Sequence, residues 1–208
     1  MRYDPHGKRV LDLAAVAVAA PVAAPLLGGI ALVSLLTQGR PVLFRQARVG
    51  QGGNEFTILK FRTMTAGSEH DGDGYWGTAD DPRITPIGRF LRSTSLDELP
   101  QLLNVLAGQM SLVGPRPKPR DIVDRYRSRY AETLRARPGL TCLWAIRGRN
   151  ELRRSQLIDL DLEYVRSVTL AGDLKILLAT VPVVLLRQGF FTEERSEGWM
   201  EDVEPDPA

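Results

Sequence analysis

Three patterns of apolar and polar positions divide the chain. Residues 13–36 form an apolar run of 24 residues without a charged side chain. As a helix this run would be roughly 36 Å long, enough for a bilayer core of about 30 Å. From Pro41 the pattern changes to period two. Val42-Leu43-Phe44 leads through Gly50-Gln51-Gly52-Gly53 to Glu55-Phe56-Thr57-Ile58-Leu59-Lys60-Phe61-Arg62, where Phe56, Ile58, Lys60 and Arg62 share one face. This predicts a β-hairpin. The glycines lack the Gly-Lys-Ser/Thr ending of a phosphate-binding P-loop, and no helix follows as a dinucleotide fold requires.

Beyond the hairpin the pattern is mostly helical. A helix is expected from Ser95 or Asp97 to Leu106, stopping at Gly108, and a charged one over 121–135 before Pro138-Gly139. A strand-like run covers 140–146, and helices follow around 155–166 and 173–187. The last is apolar over about thirteen residues, too short to span a bilayer, so it belongs in the core or at a membrane interface. Residues 66–83 read as a polar loop, with an active-site lid as one use. Asp71 and Asp73 hint at a calcium loop, but Pro82 stands where its twelfth-position glutamate belongs. The expected fold is α/β (α+β), mostly helical with a small β-hairpin or sheet, an N-terminal re-entrant membrane helix and interfacial helices. Its parts are a membrane-embedded 1–39, a catalytic 40–192 and a tail, 193–208.

The apolar run admits three readings. A cleaved signal peptide fits poorly, because Pro21 and Pro25 stand where small cleavage-site residues belong and the run continues past them. A spanning helix is not given an orientation by its flanks: Lys8 and Arg9 precede the run, and Arg40, Arg45 and Arg48 follow it. Basic residues prefer the cytoplasmic side, so both flanks are expected there. A re-entrant helix, bent near Pro25 and returning to the side it entered, accommodates both flanks and both prolines, and is preferred.

Formal net charge is only +2, but residues 193–208 carry −6 and the rest +8. A basic body points to a polyanionic partner, and the acidic tail to disorder. Cys142 is the single cysteine and lies in the apolar stretch Leu140-Thr141-Cys142-Leu143-Trp144, which reads as a small buried side chain. No intrachain disulfide can form, in keeping with a cytosolic location. His6 and His70 have no metal-ligand spacing.

Asp97-Glu98 carries the chemistry, and two readings of it compete. Ser95-x-x-Glu98 has the form of a capping box, with Asp97 complementing a helix dipole. On these residues alone the cap is preferred; the alternative is that Asp97 is a carboxylate nucleophile beside a bound phosphate.

The stretch Arg92-Ser93-Thr94-Ser95-Leu96-Asp97-Glu98-Leu99-Pro100-Gln101-Leu102-Leu103-Asn104-Val105-Leu106, followed by Met110-Ser111-Leu112-Val113-Gly114-Pro115-Arg116-Pro117, closely resembles the bacterial sugar transferases, the monotopic phosphoglycosyl transferases. The likeness extends to Lys8-Arg9-Val10-Leu11-Asp12, Lys60-Phe61-Arg62-Thr63-Met64, Pro138-Gly139-Leu140-Thr141, Gly148-Arg149-Asn150, Asp161-x-x-Tyr164 and Asp173-Leu174-Lys175-Ile176, covering about residues 7–190.

The resemblance implies transfer of a sugar 1-phosphate from a UDP-sugar to undecaprenyl phosphate through a phosphosugar-aspartate on Asp97, with Mg²⁺ as cofactor and Asp97 as its ligand. Glu98 is the catalytic partner. Lys60, Arg116 and Arg149 match basic positions expected to grip phosphate, and Arg92 and Asp161 are further substrate-binding candidates or structural ion-pair partners. The resemblance also implies a place at the bacterial inner membrane with the catalytic domain on the cytoplasmic face, among phospholipids and without nucleic acid; a homodimer is left open. Pro25 takes the place of the proline at the family's helix break. Ala24 stands where members often have serine, and Ala145-Ile146-Arg147 departs from the usual pattern. A non-catalytic membrane scaffold and a nucleic-acid-binding protein are the rival classes. The intact acid pair argues against the first, and the scatter of basic residues against the second.

Overall fold

A computed structural model of the chain describes residues 5–68, 81–149, 152–186 and 203–207. Helix α1 (Pro5–Gln38) runs through both Pro21 and Pro25. Its length and composition would allow it to cross a membrane core.

Its two ends are docked on the body. At the N-terminal end, Val16 packs with Val105, Met110, Tyr164 and Ile176. Asp12, almost wholly buried, accepts hydrogen bonds from Ser111 Oγ and the Leu112 amide, each 3.0 Å. Lys8 Nζ lies 2.5 Å from Asp173 Oδ2 and 3.0 Å from the Tyr164 hydroxyl. Arg9 donates to the carbonyls of Val105 and Leu106. At the other end, Ile30, Leu27 and Ala31 pack with Phe61 and Leu91. Arg62 reaches back to the carbonyls of Gln38 and Gly39. Between these anchors apolar side chains stand in the open, Val18 at 82% and Val22 at 72% exposure. An apolar surface of this kind, framed by buried polar anchors, marks an interaction face.

Strands β1 (Leu43–Val49) and β2 (Glu55–Phe61) form the expected antiparallel hairpin, with Phe44 opposite Lys60 and Gln46 opposite Ile58. Gly52 and Gly53 have φ of 70° and 81°, the left-handed backbone that glycine supplies at little cost. Helix α2 (Pro86–Ser93) starts at Thr85, whose side chain accepts from the Gly88 amide, with proline in its first turn. It sits so close to the chain leaving β2 that a Cβ on Gly88 would meet the Thr63 carbonyl oxygen at 2.0 Å.

A single 3-10 turn, Leu96–Glu98, then leads to α3 (Gln101–Leu106). Strand β3 (Ser111–Val113) pairs in parallel with β4 (Gly139–Thr141). A Cβ on Gly114 would stand 2.3 Å from the Arg137 carbonyl, and the Gly139 amide donates to Pro115 O at 2.9 Å. The two glycines thus clamp the turn that carries Arg116.

The charged helix expected over 121–135 is broken into α4 (Arg120–Arg125), α5 (Arg127–Tyr130) and a 3-10 turn, Thr133–Arg135. Tyr126 leaves helical geometry at the join; it and Tyr130 are buried with Val123 and Ile158. Tertiary packing of the two tyrosines overrides the local helical preference. The strand-like run at 140–146 keeps only its start, because Trp144–Ile146 forms a 3-10 turn. Helices α6 (Arg154–Arg166) and α7 (Leu170–Leu185) follow close to their expected bounds. α7 buries Asp173 and Ile176 and leaves Leu174, Leu178, Val181 and Leu185 exposed.

Asp71, Asp73 and His70 lie outside the described residues, as do 193–202 of the acidic tail. Residues 203–207 are docked: Val203 packs with Val49, Val123 and Tyr130, and Asp206 accepts from the Ser128 amide at 2.6 Å. The disorder expected for the whole tail does not extend to this segment, whose one apolar side chain has a pocket to fill. Cys142 is free and buried, as expected.

Candidate active site

The capping box is not made. Ser95 has a left-handed backbone (φ 55°) and its side chain caps no amide. Instead its hydroxyl accepts from Arg149 Nη2 at 3.0 Å. Arg149 is itself left-handed at φ 50°. These are the two positive-φ residues other than glycine among the described residues, and each stores on the order of 1 kcal/mol or more of backbone strain. Asp97 and Glu98 therefore sit in a strained 3-10 turn before α3, not in the first turn of an α-helix as the capping reading required.

The two acids have different partners. Glu98 accepts from Lys60 Nζ at 2.7 Å and from both terminal nitrogens of Arg116, Nη1 at 3.2 Å. One carboxylate thus gathers a strand lysine and a loop arginine in a forked, charge-assisted contact. Burial alone would raise the Glu98 pKa, but the charges and hydrogen bonds of Arg116 and Lys60 outweigh it and hold it well below the usual carboxylate range. Burial lowers and Glu98 raises the Arg116 pKa, and the net effect is a rise.

Asp97 is buried beside Glu98, yet among the described residues no group hydrogen-bonds its carboxylate. Burial, reinforced by the Glu98 charge, pushes its pKa up to about 6, while Lys60, Arg92 and Arg116 pull it down. A desolvated carboxylate without hydrogen-bond donors keeps its lone pairs available, as a nucleophile or metal ligand requires.

The remaining expected site residues divide. Arg92, in the last turn of α2, donates from Nε to Thr63 Oγ1 at 2.8 Å, and its charge acts on Asp97 without an ion pair. The Arg149 pKa is lowered to about 10, by burial first and then by Arg116, against the pull of Glu98 and Asp97. Asp161 is not brought to Asp97. It is buried on α6, where desolvation pushes its pKa up to about 7 against the Lys118 charge, the Trp144 indole and the Arg116 amide.

Lys118 and Trp144 were not among the expected site residues. Pro115-Arg116-Pro117-Lys118-Pro119 offered the signal: alternate positions of an extended segment share a face, so Arg116 and Lys118 point the same way. Their charged groups lie 5.9 and 5.6 Å from the centre of the same Trp144 ring, within cation–π range.

The other matched motifs hold the frame. Tyr164 of the Asp161-x-x-Tyr164 motif and Asp173 of the next receive Lys8, and Asp12 caps β3.

A free buried carboxylate, a second acid holding two cations and a flanking arginine are the groups that attack on an anionic phosphorus centre calls for. The bacterial sugar transferase family model matches residues 3–187. The chain belongs to the bacterial sugar transferase family and is by class a phosphoglycosyl transferase. It is 48% identical over 187 residues to the UDP-glucose:undecaprenyl-phosphate glucose-1-phosphate transferase of Caulobacter vibrioides, covering 86% of this chain and 69% of that one. It is 39% identical to the exopolysaccharide production protein ExoY of Rhizobium meliloti, over 88% of both chains. It is also 39% identical to the undecaprenyl-phosphate galactose phosphotransferase of Salmonella typhimurium, covering 88% of this chain and 41% of that protein.

Proposed function

We propose that the chain transfers a sugar 1-phosphate from a UDP-sugar to undecaprenyl phosphate, releasing UMP, as the first membrane step of a surface glycan. The names of its relatives support the substrate classes. The observation that carries the chemistry is the division of labour at 97–98: Glu98 holds Lys60 and Arg116 while Asp97 is left unbonded.

In the first step an Asp97 oxygen attacks the phosphorus bonded to the sugar. The bond from that phosphorus to the bridging oxygen breaks, and its electron pair leaves with UMP. In the second, an oxygen of the lipid phosphate attacks the same phosphorus and expels the Asp97 carboxylate, giving the lipid diphosphate sugar. Arg116 and Arg149 neutralise the phosphate oxygens, and Lys60 keeps Glu98 and Arg116 in register.

The family resemblance implies Mg²⁺, and the residues fit it. Among the described residues there is no group of three or more His, Cys, Asp or Glu that could hold a metal, and Glu98 is committed to cations. Mg²⁺ needs as few as one protein carboxylate when phosphate oxygens and water complete its shell, and Asp97 would supply it. Bound there, the ion would neutralise phosphate charge.

The docking of α1 supports the re-entrant reading. Both ends contact the same body while Val18, Val22 and their neighbours between them stand free, and Pro21 and Pro25 lie in or beside that free stretch. Ala24 offers no hydroxyl to satisfy backbone groups at a bend. In this reading the catalytic domain sits on the cytoplasmic face of the inner membrane, and the exposed apolar face of α7 supports a membrane contact.

The test is a panel of UDP-sugars with undecaprenyl phosphate in nanodiscs, read as UMP release. Donor alone should leave one sugar-phosphate mass on an Asp97 peptide. An adduct on another residue, or a ternary-complex kinetic pattern, would sink the two-step scheme.

A further inference from the structure

Resting on this transfer reaction, we propose that Lys118 binds the donor's second phosphate, the one that departs with the nucleoside. Lys60 and Arg116 are both engaged by Glu98. Lys118 is engaged by no carboxylate: among the described residues it forms no ion pair. The groups that act on it are Asp161, which favours the ammonium, the opposing cations Arg116 and Arg48, and Cys142. A half-buried ammonium that shares one indole with the Arg116 guanidinium and has no ion pair is stabilised when an anion joins it. Burial, with Arg116 and Arg48, pushes its pKa down to about 8 against the pull of Asp161.

The placement is built in. Pro117 and Pro119 flank the residue and restrict its backbone, and its carbonyl accepts from the Val49 amide at 2.8 Å. The ammonium meets the same indole as Arg116, and both cations face the same way from alternate positions. Their order along the site assigns the phosphates. Arg116 donates to Glu98, the residue next to Asp97, whereas Lys118 bonds to no residue of the 95–98 turn and lies over the Trp144 ring. Arg116 is therefore assigned to the phosphorus under attack, and Lys118 to the second phosphate of the diphosphate. There it would stabilise the charge that grows on the leaving group as its bond breaks.

The experiment titrates the full chain in nanodiscs with UMP and with uridine, for wild type, Lys118→Met and Lys118→Arg. Methionine keeps an apolar stem against Trp144 and removes the charge; arginine restores it. Lys118→Met should weaken UMP binding on the order of tenfold or more, with uridine unchanged and Lys118→Arg close to wild type. In turnover, the same variant should lower kcat with the best UDP-sugar. Undiminished UMP binding by Lys118→Met overturns the inference. So does an equal loss of UMP and uridine, which would mean that Lys118 acts by packing. Binding is read without turnover, so the two readings fail separately. A wild-type chain that binds UMP through Lys118 but transfers nothing would sink the reaction and keep the anion site. A transferring wild type that binds UMP without help from Lys118 would sink the assignment alone.

Discussion

Two acid–base clusters flank Arg116, and they are assembled on opposite terms. On one side Glu98 is ionised far below the ordinary carboxylate range, because Lys60 and Arg116 both donate to it. On the other, Asp161 is buried with its pKa raised to about 7, and neighbouring Lys118 has no ion-pair partner among the described residues. The first cluster is internally satisfied and holds groups in place. The second is left short of negative charge. Asp97 repeats the contrast within a single turn, unbonded beside a neighbour that makes every contact. In this molecule the satisfied charges form the frame, and the unsatisfied ones are those proposed for the chemistry, a pattern expected where stability is given up at a functional site.

The largest test of that contrast is Asp97→Asn. Turnover should fall by three orders of magnitude or more, because an amide is a poor nucleophile. Stability should move the other way. With a folded pKa of about 6, Asp97 holds a proton that the unfolded chain has lost, so ionising it above about pH 6 costs folding free energy. Asparagine removes that cost, and the variant should melt a few degrees higher than wild type at about pH 7.5. A lower melting temperature with activity lost would make Asp97 a structural residue.

Glu98→Ala should have the next largest effect, and in the opposite direction for stability. It strips the shared partner from two half-buried cations, at a cost of about 2–4 kcal/mol, read as a fall in melting temperature together with a loss of kcat. Unchanged melting would mean that Glu98 does not hold Lys60 and Arg116.

The sequence made half of this contrast legible. Period-two alternation placed Lys60 on the Phe56–Ile58 face of the hairpin, and the apolar run gave the end of α1 to within two residues, though the helix starts eight residues before the run. Ser95-x-x-Glu98 was misleading, because a capping box is a local pattern and its residues were drawn away by Arg149, Lys60 and Arg116, from 38 to 54 positions off for the two distant partners Lys60 and Arg149. No local spacing encodes such contacts. The same holds for Lys8, whose partner Asp173 lies 165 residues away, so that the ion pair fastening α1 to the body had no local signal beyond a basic flank and a family motif. Lys118 was missed for a different reason: its role depends on an indole that the chain supplies from another turn.

The smallest effect is expected from Asp161→Asn, and it must be read as a pH difference. Asp161 faces Lys118, Arg116 and the Trp144 indole. Its folded pKa, about 7, is raised above the ordinary aspartate value of 3.8, so between these the native state holds a proton that the unfolded chain releases. Its contribution to stability therefore declines as pH rises through that window and levels off above it. Asparagine does not titrate. The melting temperature of Asp161→Asn relative to wild type should accordingly rise by a few degrees from about pH 5 to about pH 8; losing the Asp161 charge also lowers the Lys118 pKa, which moves the difference in the same direction. A difference that stays level across this range would mean that Asp161 is ionised throughout. Lys118 would then have a counter-charge after all, and the two clusters would differ in place but not in kind.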